Sequence, residues 1–351
     1  MRIGINALAL ATAGLALAGC NSNGGSSAGS GSRDQIRIVG SSTVYPFSTA
    51  VSEGFARKNA GFKPAIVEST GTGAGVKLFC GGVGAQHPDI ADASRRIKKS
   101  EVENCAKAGV KDIVEIQIGI DGIILAESKE GAAIKLTPEL VYKALAANPY
   151  GKPQTAQTWK DVDPSLPATK IQVYGPPPTS GTRDAFAELI LDKGCNADPA
   201  TKALKKTDED KYKAICTKIR EDGVYVESGE NDNLIVQKLG ANPDAIGIFG
   251  YSFLEENGAT VRGIALNDVT PSYETIADYS YPGARPLFIY VKGAHLKVIP
   301  GLREFVAEYA SAWGKGGYLA RRGLIAAPDD VQAKNAEIAK NMTFMDTATA
   351  E

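Results

Sequence analysis

The sequence predicts an α/β protein built of two lobes. Strand-like apolar runs alternate with helix-like segments along the chain, a pattern typical of mainly parallel sheets flanked by helices. With 351 residues, 43% of them hydrophobic, the chain can bury full cores and is too long for one ordinary domain. We therefore expect two lobes, each a mainly parallel sheet with helices packed on it.

Apolar periodicity and capping residues place the individual elements. The predicted strands lie at 36–39, 65–68, 89–93, 113–118, 122–126, 171–174, 245–250 and 286–291. The predicted helices lie at 45–59, from 76 onward, at 100–108, from Thr137 onward, and at 183–191, 233–239, 302–318 and 329–341.

The N-terminus has the pattern of an exported lipoprotein. Residues 1–19 combine a short, weakly basic start with an apolar stretch that is too short to span a bilayer comfortably, as in a secretory signal peptide. The stretch ends in Leu-Ala-Gly before Cys20, which resembles the bacterial lipobox, so Cys20 is the predicted lipidation site. A buried N-terminal helix is the alternative, but residues 20–33 are mostly Gly, Ser, Ala and Asn and predict a flexible tether.

Four further cysteines form an even set in a chain that is predicted to enter an oxidising compartment: Cys80, Cys105, Cys195 and Cys216. Three pairings are possible. We favour Cys80 with Cys105 and Cys195 with Cys216, because each pair closes a local loop inside one lobe.

Metal, cofactor and enzyme sites are not expected. The cysteines form no C-x-x-C pair, and His87 and His295 stand alone in the sequence. The glycine-rich segment 71–77 lacks the Gly-Lys-Ser/Thr of a phosphate-binding P-loop, and no Gly-x-Ser-x-Gly elbow occurs. The 39 basic and 40 acidic side chains give a formal net charge of −1, so nucleic acid is not an expected partner and any anion site must be local.

Three predicted helices begin directly after strands, with hydroxyl or glycine residues at their starts. These starts are residues 41–43, the turn 71–75 and residues 180–182. A helix N-terminus offers unpaired amide groups and the positive end of the helix dipole, and a hydroxyl cap adds a donor. Each one alone could be an ordinary cap, but three at strand ends could converge on one tetrahedral oxyanion.

Two arginines could supply positive charge to such a site. Arg95 follows Ser94 directly after the third strand, and Arg183 follows the cap at 180–182. Guanidinium groups make bidentate contacts to oxyanions. Arg96 is expected to face outward.

The motifs 40–46 (GSSTVYP), 71–77 (GTGAGVK) and 180–183 (SGTR), in this order and spacing, resemble the phosphate-binding lipoproteins of Pst-type ABC importers. The similarity extends over nearly all of the mature chain, including 246–251 (IGIFGY) and 281–287 (YPGARPL). The resemblance implies the two-lobed periplasmic-binding-protein type 2 fold, with a hinge that the chain crosses twice and a ligand in the cleft. The implied lobes are 34–118 plus 285–351, and 119–284.

The resemblance also implies phosphate-binding residues. The first lobe would contribute Ser42, Thr43, Val44 and Thr72, and the second lobe Ser180, Gly181 and Thr182. Ser94, Arg95 and Arg183 are further candidates for the same site because of their positions directly after the third strand and after the cap at 180–182.

The chain departs from the best-known branch of the family at two positions. That branch has a carboxylate where this chain has Arg95, and an arginine where this chain has Pro176. The carboxylate accepts a hydrogen bond from protonated phosphate and so rejects sulfate. We hypothesise that Asp121, at the hinge crossing, takes this role while Arg95 and Arg183 supply positive charge. The alternative is that Asp121 only shapes a turn before Gly122.

The predicted function is a non-catalytic receptor on the periplasmic side of the cell envelope, lipid-anchored to a membrane. It would be a monomer that captures inorganic phosphate and delivers it to an ABC permease in the inner membrane. The alternatives are a receptor for another oxyanion (arsenate, phosphite, sulfate or molybdate), and a surface adhesin or phosphatase-like enzyme.

Overall fold

The computed structural model describes residues 33–178, 180–229 and 232–350. The predicted signal peptide, Cys20 and the tether up to residue 32 lie outside the described residues. Within the described ranges, no helix combines the length and the apolar character that crossing a membrane requires.

The described residues contain nine strands and fourteen α-helices. The strands are β1 Arg37–Gly40, β2 Ile66–Ser69, β3 Ile90–Ala93, β4 Ile113–Ser128, β5 Val173–Gly175, β6 Tyr225–Glu227, β7 Ile246–Gly250, β8 Val261–Gly263 and β9 Ala284–Lys292. The helices are α1 Tyr45–Lys58, α2 Thr72–Phe79, α3 Lys99–Lys107, α4 Pro138–Leu145, α5 Trp159–Val162, α6 Gly181–Phe186, α7 Asp192–Cys195, α8 Pro199–Thr207, α9 Glu209–Cys216, α10 Asp232–Ala241, α11 Tyr251–Glu256, α12 Tyr273–Ala277, α13 Leu302–Ala312 and α14 Asp329–Asn341. A π-helical turn, Ala187–Leu191, joins α6 to α7, and short 3-10 turns lie at Pro149–Gly151, Gly293–His295, Ala320–Arg322 and Thr347–Thr349.

The first sheet carries three strands that end at one edge. β1 lies between β2 and β3 and is parallel to both, so the carboxyl ends of these three strands are neighbours. β9 then pairs antiparallel with β3, and the first part of β4 pairs antiparallel with β9. We call the residues packed around this sheet the first lobe.

The second sheet is built on the second part of β4. β7 and β8 pair antiparallel with β4, and β5 pairs parallel with β7 and β6. We call the residues packed around this sheet the second lobe. Both sheets are therefore mixed, whereas the sequence predicted mainly parallel ones; the antiparallel pairs all involve β4 or β9.

β4 and β9 run side by side through the junction of the two sheets. Asp121 on β4 lies opposite Arg285 on β9, four positions beyond an irregularity in the ladder at Gln117. Ile325 forms a further antiparallel bridge with Ile120 at the same level. The predicted strands 113–118 and 122–126 are thus one strand, and the interpretation of Asp121 as a turn residue is wrong.

Separate apolar cores lie under the two sheets. One large cluster packs around the second sheet and includes Trp159, Phe186 and Phe249, all almost fully buried. Under the first sheet, one cluster includes Phe55 and Phe305, and a smaller one surrounds Phe79. The exact lobe boundaries that the sequence suggested stay a prediction.

The predicted disulfide pairing is confirmed. Cys80, at the end of α2, is bonded to Cys105 in α3, and Cys195, at the end of α7, is bonded to Cys216 at the end of α9. Each bridge closes a short loop, with sequence separations of 25 and 21 residues. Each therefore constrains one lobe locally.

His295, predicted to stand alone, belongs to a buried ion-pair network at the amino end of the first sheet. Its Nδ1 lies 2.6 Å from Asp89 Oδ1, and the Gly84 amide donates to its Nε2 at 3.1 Å. Asp89 also accepts from both terminal nitrogens of Arg33, at 3.0 and 2.9 Å. Arg33, the last residue of the predicted tether, is therefore held by the folded part of the chain.

Candidate functional site

The loop after β1 is the first part of the site. Gly40 has a φ of +142°, and a Cβ there would lie 2.1 Å from the Asp92 carbonyl oxygen, so only glycine allows β1 to approach β3 this closely. The Ser41 amide then donates to the Asp92 carbonyl at 2.9 Å. The chain turns at once into α1, which leaves Ser42, Thr43 and Val44 at the carboxyl edge of the sheet.

Thr72 and Ser94 lie on the neighbouring strand ends and contact each other. Their hydroxyl oxygens are 3.0 Å apart, and the Ser94 amide donates to Thr72 Oγ1 at 3.1 Å. The sequence placed both residues in the site, and the structure brings them to the same sheet edge as the β1 loop. One of the two hydroxyl groups therefore donates to the other in this conformation.

The start of α6 brings the second lobe to the first. Ser180 caps the helix, with its Oγ accepting from the Thr182 amide at 3.2 Å. A Cβ on Gly181 would lie only 2.7 Å from the Ser42 carbonyl oxygen, and Thr43 Oγ1 donates to the Gly181 carbonyl at 3.3 Å. Two of the three predicted helix starts thus meet across the cleft.

Arg285 is the cation at this meeting point, and sequence reasoning missed it. It is buried on β9 with 7% of its side chain exposed, and its Nη2 donates to Thr43 Oγ1 at 2.8 Å. Its Nε donates to Asp121 Oδ2 at 3.2 Å and its Nη1 to Glu188 Oε2 at 2.5 Å. One guanidinium therefore links the first lobe, the hinge strand and the second lobe.

A signal for Arg285 was present in the sequence. It is the one charged residue in the quoted motif 281–287, and it directly precedes the strongly apolar predicted strand 286–291. A charge in such a strand requires a partner, because an unpaired buried charge is costly. The partner, Asp121, lies 164 residues earlier in the sequence, so only strand pairing reveals it.

Burial raises the pKa of Asp121, while the charge and hydrogen bond of Arg285 act in the opposite direction. The side chain of Asp121 is 13% exposed. In its ionised form, which Arg285 favours, Asp121 is a candidate to accept a hydrogen bond from a protonated ligand, and its side chain is already paired with Arg285.

Two carboxylates of the second lobe contact the β1 loop and Arg285. Asp184 on α6 accepts from the Ser42 hydroxyl at 2.5 Å, and Glu188 in the π-helical turn accepts from Arg285. The side chain of Glu188 is 60% exposed, so this end of the group is open to solvent. Neither residue was predicted from the sequence.

The two arginines that were predicted to supply charge have other partners. Arg95 makes a bidentate pair with Glu101 at 2.9 and 2.8 Å. Arg183 lies over the ring of Tyr225, 4.3 Å from its centroid, and donates to the Pro176 carbonyl at 3.1 Å. Both are committed to their own lobes in this conformation, whereas Arg285 contacts Thr43 directly.

Arg96 was expected to face outward, but it forms an ion pair with Glu115 at 2.5 Å. Glu115 also accepts from Tyr290 at 3.0 Å, and the Tyr290 oxygen accepts from the Ile97 amide at 2.7 Å. This network fixes the segment that follows Ser94.

A buried carboxyl group lies beneath the β1 loop. Asp92 is 1% exposed, and its Oδ1 accepts from Ser48 Oγ at 2.9 Å. The Ser48 oxygen also lies 2.7 Å from the Tyr309 hydroxyl oxygen. Burial raises the pKa of Asp92 to about 8, although the Ser48 hydrogen bond opposes this, so the folded protein keeps Asp92 protonated at neutral pH.

This pKa predicts a pH-dependent stability. Because the pKa of Asp92 rises from 3.8 to about 8 on folding, the folded state holds a proton that the unfolded state releases, and stability falls as pH rises between these values. Asp92→Asn keeps the hydrogen-bond acceptor and does not titrate. In urea unfolding, the free energy of unfolding of the variant relative to that of the natural protein should increase by about 1.4 kcal/mol per pH unit between roughly pH 5 and 7. Parallel pH profiles for the two proteins would contradict the assignment.

Groups of three or more histidine, cysteine or acidic residues that could hold a metal ion do not occur in the described ranges. The groups that meet at the site are hydroxyl groups, backbone groups, the Arg285 guanidinium and carboxylates. Such a set can hold a small oxyanion that carries protons.

Comparison with known proteins identifies the family. The family model of the PBP superfamily domain matches residues 25–312. Phosphate-binding protein PstS of Staphylococcus saprophyticus is 31% identical over 323 residues, covering 90% of this chain and 87% of its own. Protein SphX of Synechococcus elongatus is 33% identical over 294 residues, covering 82% of this chain and 76% of its own.

Solved structures agree with this assignment. A possible phosphate binding protein from Planctomyces limnophilus superposes with a TM-score of 0.71 and 30% identity, covering 88% of this chain and 98% of its own. An ABC-type phosphate transport receptor from Vibrio cholerae has a TM-score of 0.57 at 21% identity, covering 83% of this chain and 99% of its own, and supports the fold alone. The predicted two-lobed fold is confirmed, and the chain belongs to the PstS-like phosphate-binding proteins of the PBP superfamily.

Proposed function

We propose that this protein binds inorganic phosphate in the cleft between its lobes. The observation that carries the proposal is the contact between the Ser42–Thr43 segment and Gly181 beside Arg285. Hydroxyl and backbone donors of both lobes converge there with a guanidinium. The relatives that bear the name phosphate-binding protein PstS cover most of the chain and support phosphate as the ligand.

The proposed ligand contacts come from both lobes. The first lobe contributes Ser42, Thr43, Val44, Thr72 and Ser94, and the second contributes Ser180, Gly181 and Thr182. Arg285 supplies the positive charge in this proposal, because Arg95 and Arg183 would first have to leave Glu101 and Tyr225. Insertion of an anion beside Thr43 would exchange contacts that Arg285 now makes within the protein for contacts to the ligand.

Asp121 is proposed as one acceptor for a proton of the ligand. Burial raises its pKa, whereas the neighbouring Arg285 favours the ionised form, and an ionised carboxylate can accept a hydrogen bond from an O–H group of the ligand. Sulfate brings no proton, and two facing acceptors would then be unpaired. This is the basis on which we expect phosphate to be preferred to sulfate.

The wider role is that of a receptor outside the cytoplasm that delivers phosphate to an ABC permease in the inner membrane. We propose that it is anchored by a lipid on Cys20, acts as a monomer and has no catalytic activity. The lipobox pattern before Cys20 supports the anchor, and the family supports the transport role. Another oxyanion as the main ligand is the second candidate, favoured by the substitutions at Arg95 and Pro176.

Calorimetric titration of the purified protein, freed of bound ligand, tests this function. We expect one phosphate per chain, bound tightly and not displaced by excess sulfate. Titrations with arsenate and phosphite measure the affinities of these two oxyanions under the same conditions. If molybdate or sulfate bound and phosphate did not, phosphate would be wrong as the ligand, and the proposal that the protein is an oxyanion receptor would stand.

A further inference from the structure

We propose that Glu101 is a specificity-determining positioning residue, which holds Arg95 beside the cleft and out of contact with the ligand and so keeps the affinity for fully ionised oxyanions such as sulfate low. This inference rests on the proposed function and specifies how the same site chooses among oxyanions. It concerns a cation that the site does not use, so its test is a gain of binding.

Arg95 lies at the edge of the site. It directly follows Ser94, the first residue after β3, and the Ser94 amide donates to Thr72 Oγ1 at 3.1 Å. The side chain of Arg95 is 31% exposed, so it is neither buried inside the lobe nor fully solvated. Rotation about its side-chain bonds can therefore direct the guanidinium towards or away from the neighbouring hydroxyl groups.

The charges that act on Arg95 include one from the second lobe. Burial lowers the pKa of Arg95, but the hydrogen bond and charge of Glu101 raise it above its usual value. The acidic groups of Tyr290 and Glu188 act in the same direction as Glu101. Glu188 also accepts from Arg285. Arg95 is therefore within electrostatic range of a carboxylate that contacts the central guanidinium of the site.

The pair with Glu101 fixes the guanidinium in one orientation. Glu101 Oε2 accepts from Arg95 Nη1 at 2.9 Å, and Oε1 accepts from Nη2 at 2.8 Å. Nη1 also donates to the Arg96 carbonyl at 3.0 Å. A bidentate pair of this kind combines charge with defined geometry. The pair therefore neutralises Arg95 and holds it against its own lobe.

Glu101 is itself held in place and ionised. Its Oε2 also accepts from the Lys98 amide at 2.9 Å, at the start of α3, and Cys105 in the same helix is bonded to Cys80. Burial acts to raise the pKa of Glu101, but the hydrogen bonds from Arg95 and the Lys98 amide outweigh it and keep the pKa below its usual value. The carboxylate is therefore charged at neutral pH, and the pair with Arg95 persists there.

The pair leaves the cleft with little positive charge for a fully ionised anion. Sulfate carries two negative charges and no proton, so its binding requires positive charge that is not already compensated. Arg285 is paired with Asp121 and Glu188, and Arg95 is paired with Glu101. Release of Arg95 would supply an uncompensated guanidinium, which can make bidentate contacts to two oxygens of the anion.

Calorimetric titration of the natural protein and of Glu101→Gln with sulfate and with phosphate, at one pH and one ionic strength, tests this inference. Glutamine keeps a carbonyl oxygen for the Lys98 amide but has no charge to hold Arg95. We expect the affinity of the variant for sulfate to increase at least about tenfold. A variant that was only destabilised would lose affinity, so a gain cannot arise from structural damage.

Two further variants assign the gain to Arg95. Glu103→Gln removes the same charge from an exposed position of the same helix and should leave the affinity for sulfate unchanged. The double variant Arg95→Met plus Glu101→Gln should lose the gain. Arg95→Met alone should bind phosphate as tightly as the natural protein, because the proposal gives Arg95 no contact with phosphate.

The outcomes distinguish the inference from the function. Tight phosphate binding without a gain of sulfate binding in Glu101→Gln would overturn the inference and leave the receptor function intact. An equal gain in Glu103→Gln, or a gain that persists without Arg95, would assign the effect to another charge and also overturn the inference. Loss of phosphate binding in Arg95→Met would make Arg95 a ligand contact, with the same consequence. Absence of phosphate binding in the natural protein would overturn the proposed function itself.

Discussion

Replacement of Arg285 by methionine should abolish tight phosphate binding and lower stability. Arg285 is the guanidinium that contacts Thr43, and its loss removes the charge-assisted donor at the centre of the site. Truncation of a buried charge partner costs roughly 2–5 kcal/mol of binding free energy, which is about a 30-fold loss of affinity or more. Calorimetry measures the affinity, and urea unfolding measures the stability.

The stability effect has a separate cause and can be removed. In Arg285→Met, Asp121 is left in a site where only 13% of its side chain is exposed, and breaking such a pair costs about 3 kcal/mol or more. The double variant Asp121→Asn plus Arg285→Met should recover much of this stability without recovering phosphate affinity. Arg322→Met is the control, since Arg322 is half exposed and lies 3.9 Å from Glu53. Natural affinity in Arg285→Met would exclude Arg285 from the site.

Gly181→Ala should weaken phosphate binding while leaving each lobe stable. The added Cβ would lie 2.7 Å from the Ser42 carbonyl oxygen and 2.9 Å from Thr43 Cα, and backbone atoms cannot move aside as a flexible side chain can. Overlap of this kind costs about 1–3 kcal/mol, here only when the lobes meet, so affinity should fall roughly five- to a hundredfold. Small-angle scattering should show reduced compaction on addition of phosphate.

The matched control for this variant is Gly240→Ala in α10, where a Cβ would meet nothing within 4 Å. We expect its phosphate affinity and compaction to equal those of the natural protein. If Gly181→Ala bound phosphate as tightly as Gly240→Ala, the contact between Gly181 and the β1 loop would not belong to the ligand-bound state.

Local sequence patterns predicted most elements and both disulfides. Residues 36–39 were predicted as a strand because three of the four are apolar and the run ends at a glycine, and α14 was predicted with the bounds it has. Cys80 and Cys195 each have a partner within 25 residues, so short-range loop closure was sufficient to pair them. The hydroxyl groups of Thr43 and Ser180 were found because helix starts leave a clear local signature.

Local sequence patterns could not predict the long strand β4 or the charged residues that lie in the cleft. Asp121 before Gly122 has the local pattern of a turn, and only the pairing of β4 with β9 makes the segment one strand through the hinge. Arg95 and Arg183 were predicted to supply charge to the ligand, because their contacts with Glu101 and Tyr225 depend on the tertiary structure.

The sequence by itself determined the α/β class, the hydroxyl groups at the strand ends and the resemblance to a phosphate-binding family, and it favoured the pairing of the cysteines that the structure shows. The tertiary structure decided which charge reaches the cleft. Arg285 contacts Thr43 and Glu188 across sequence separations of 242 and 97 residues. Capping and periodicity depend on neighbours within one or two turns, whereas a buried ion pair depends on which distant strands and helices are brought together.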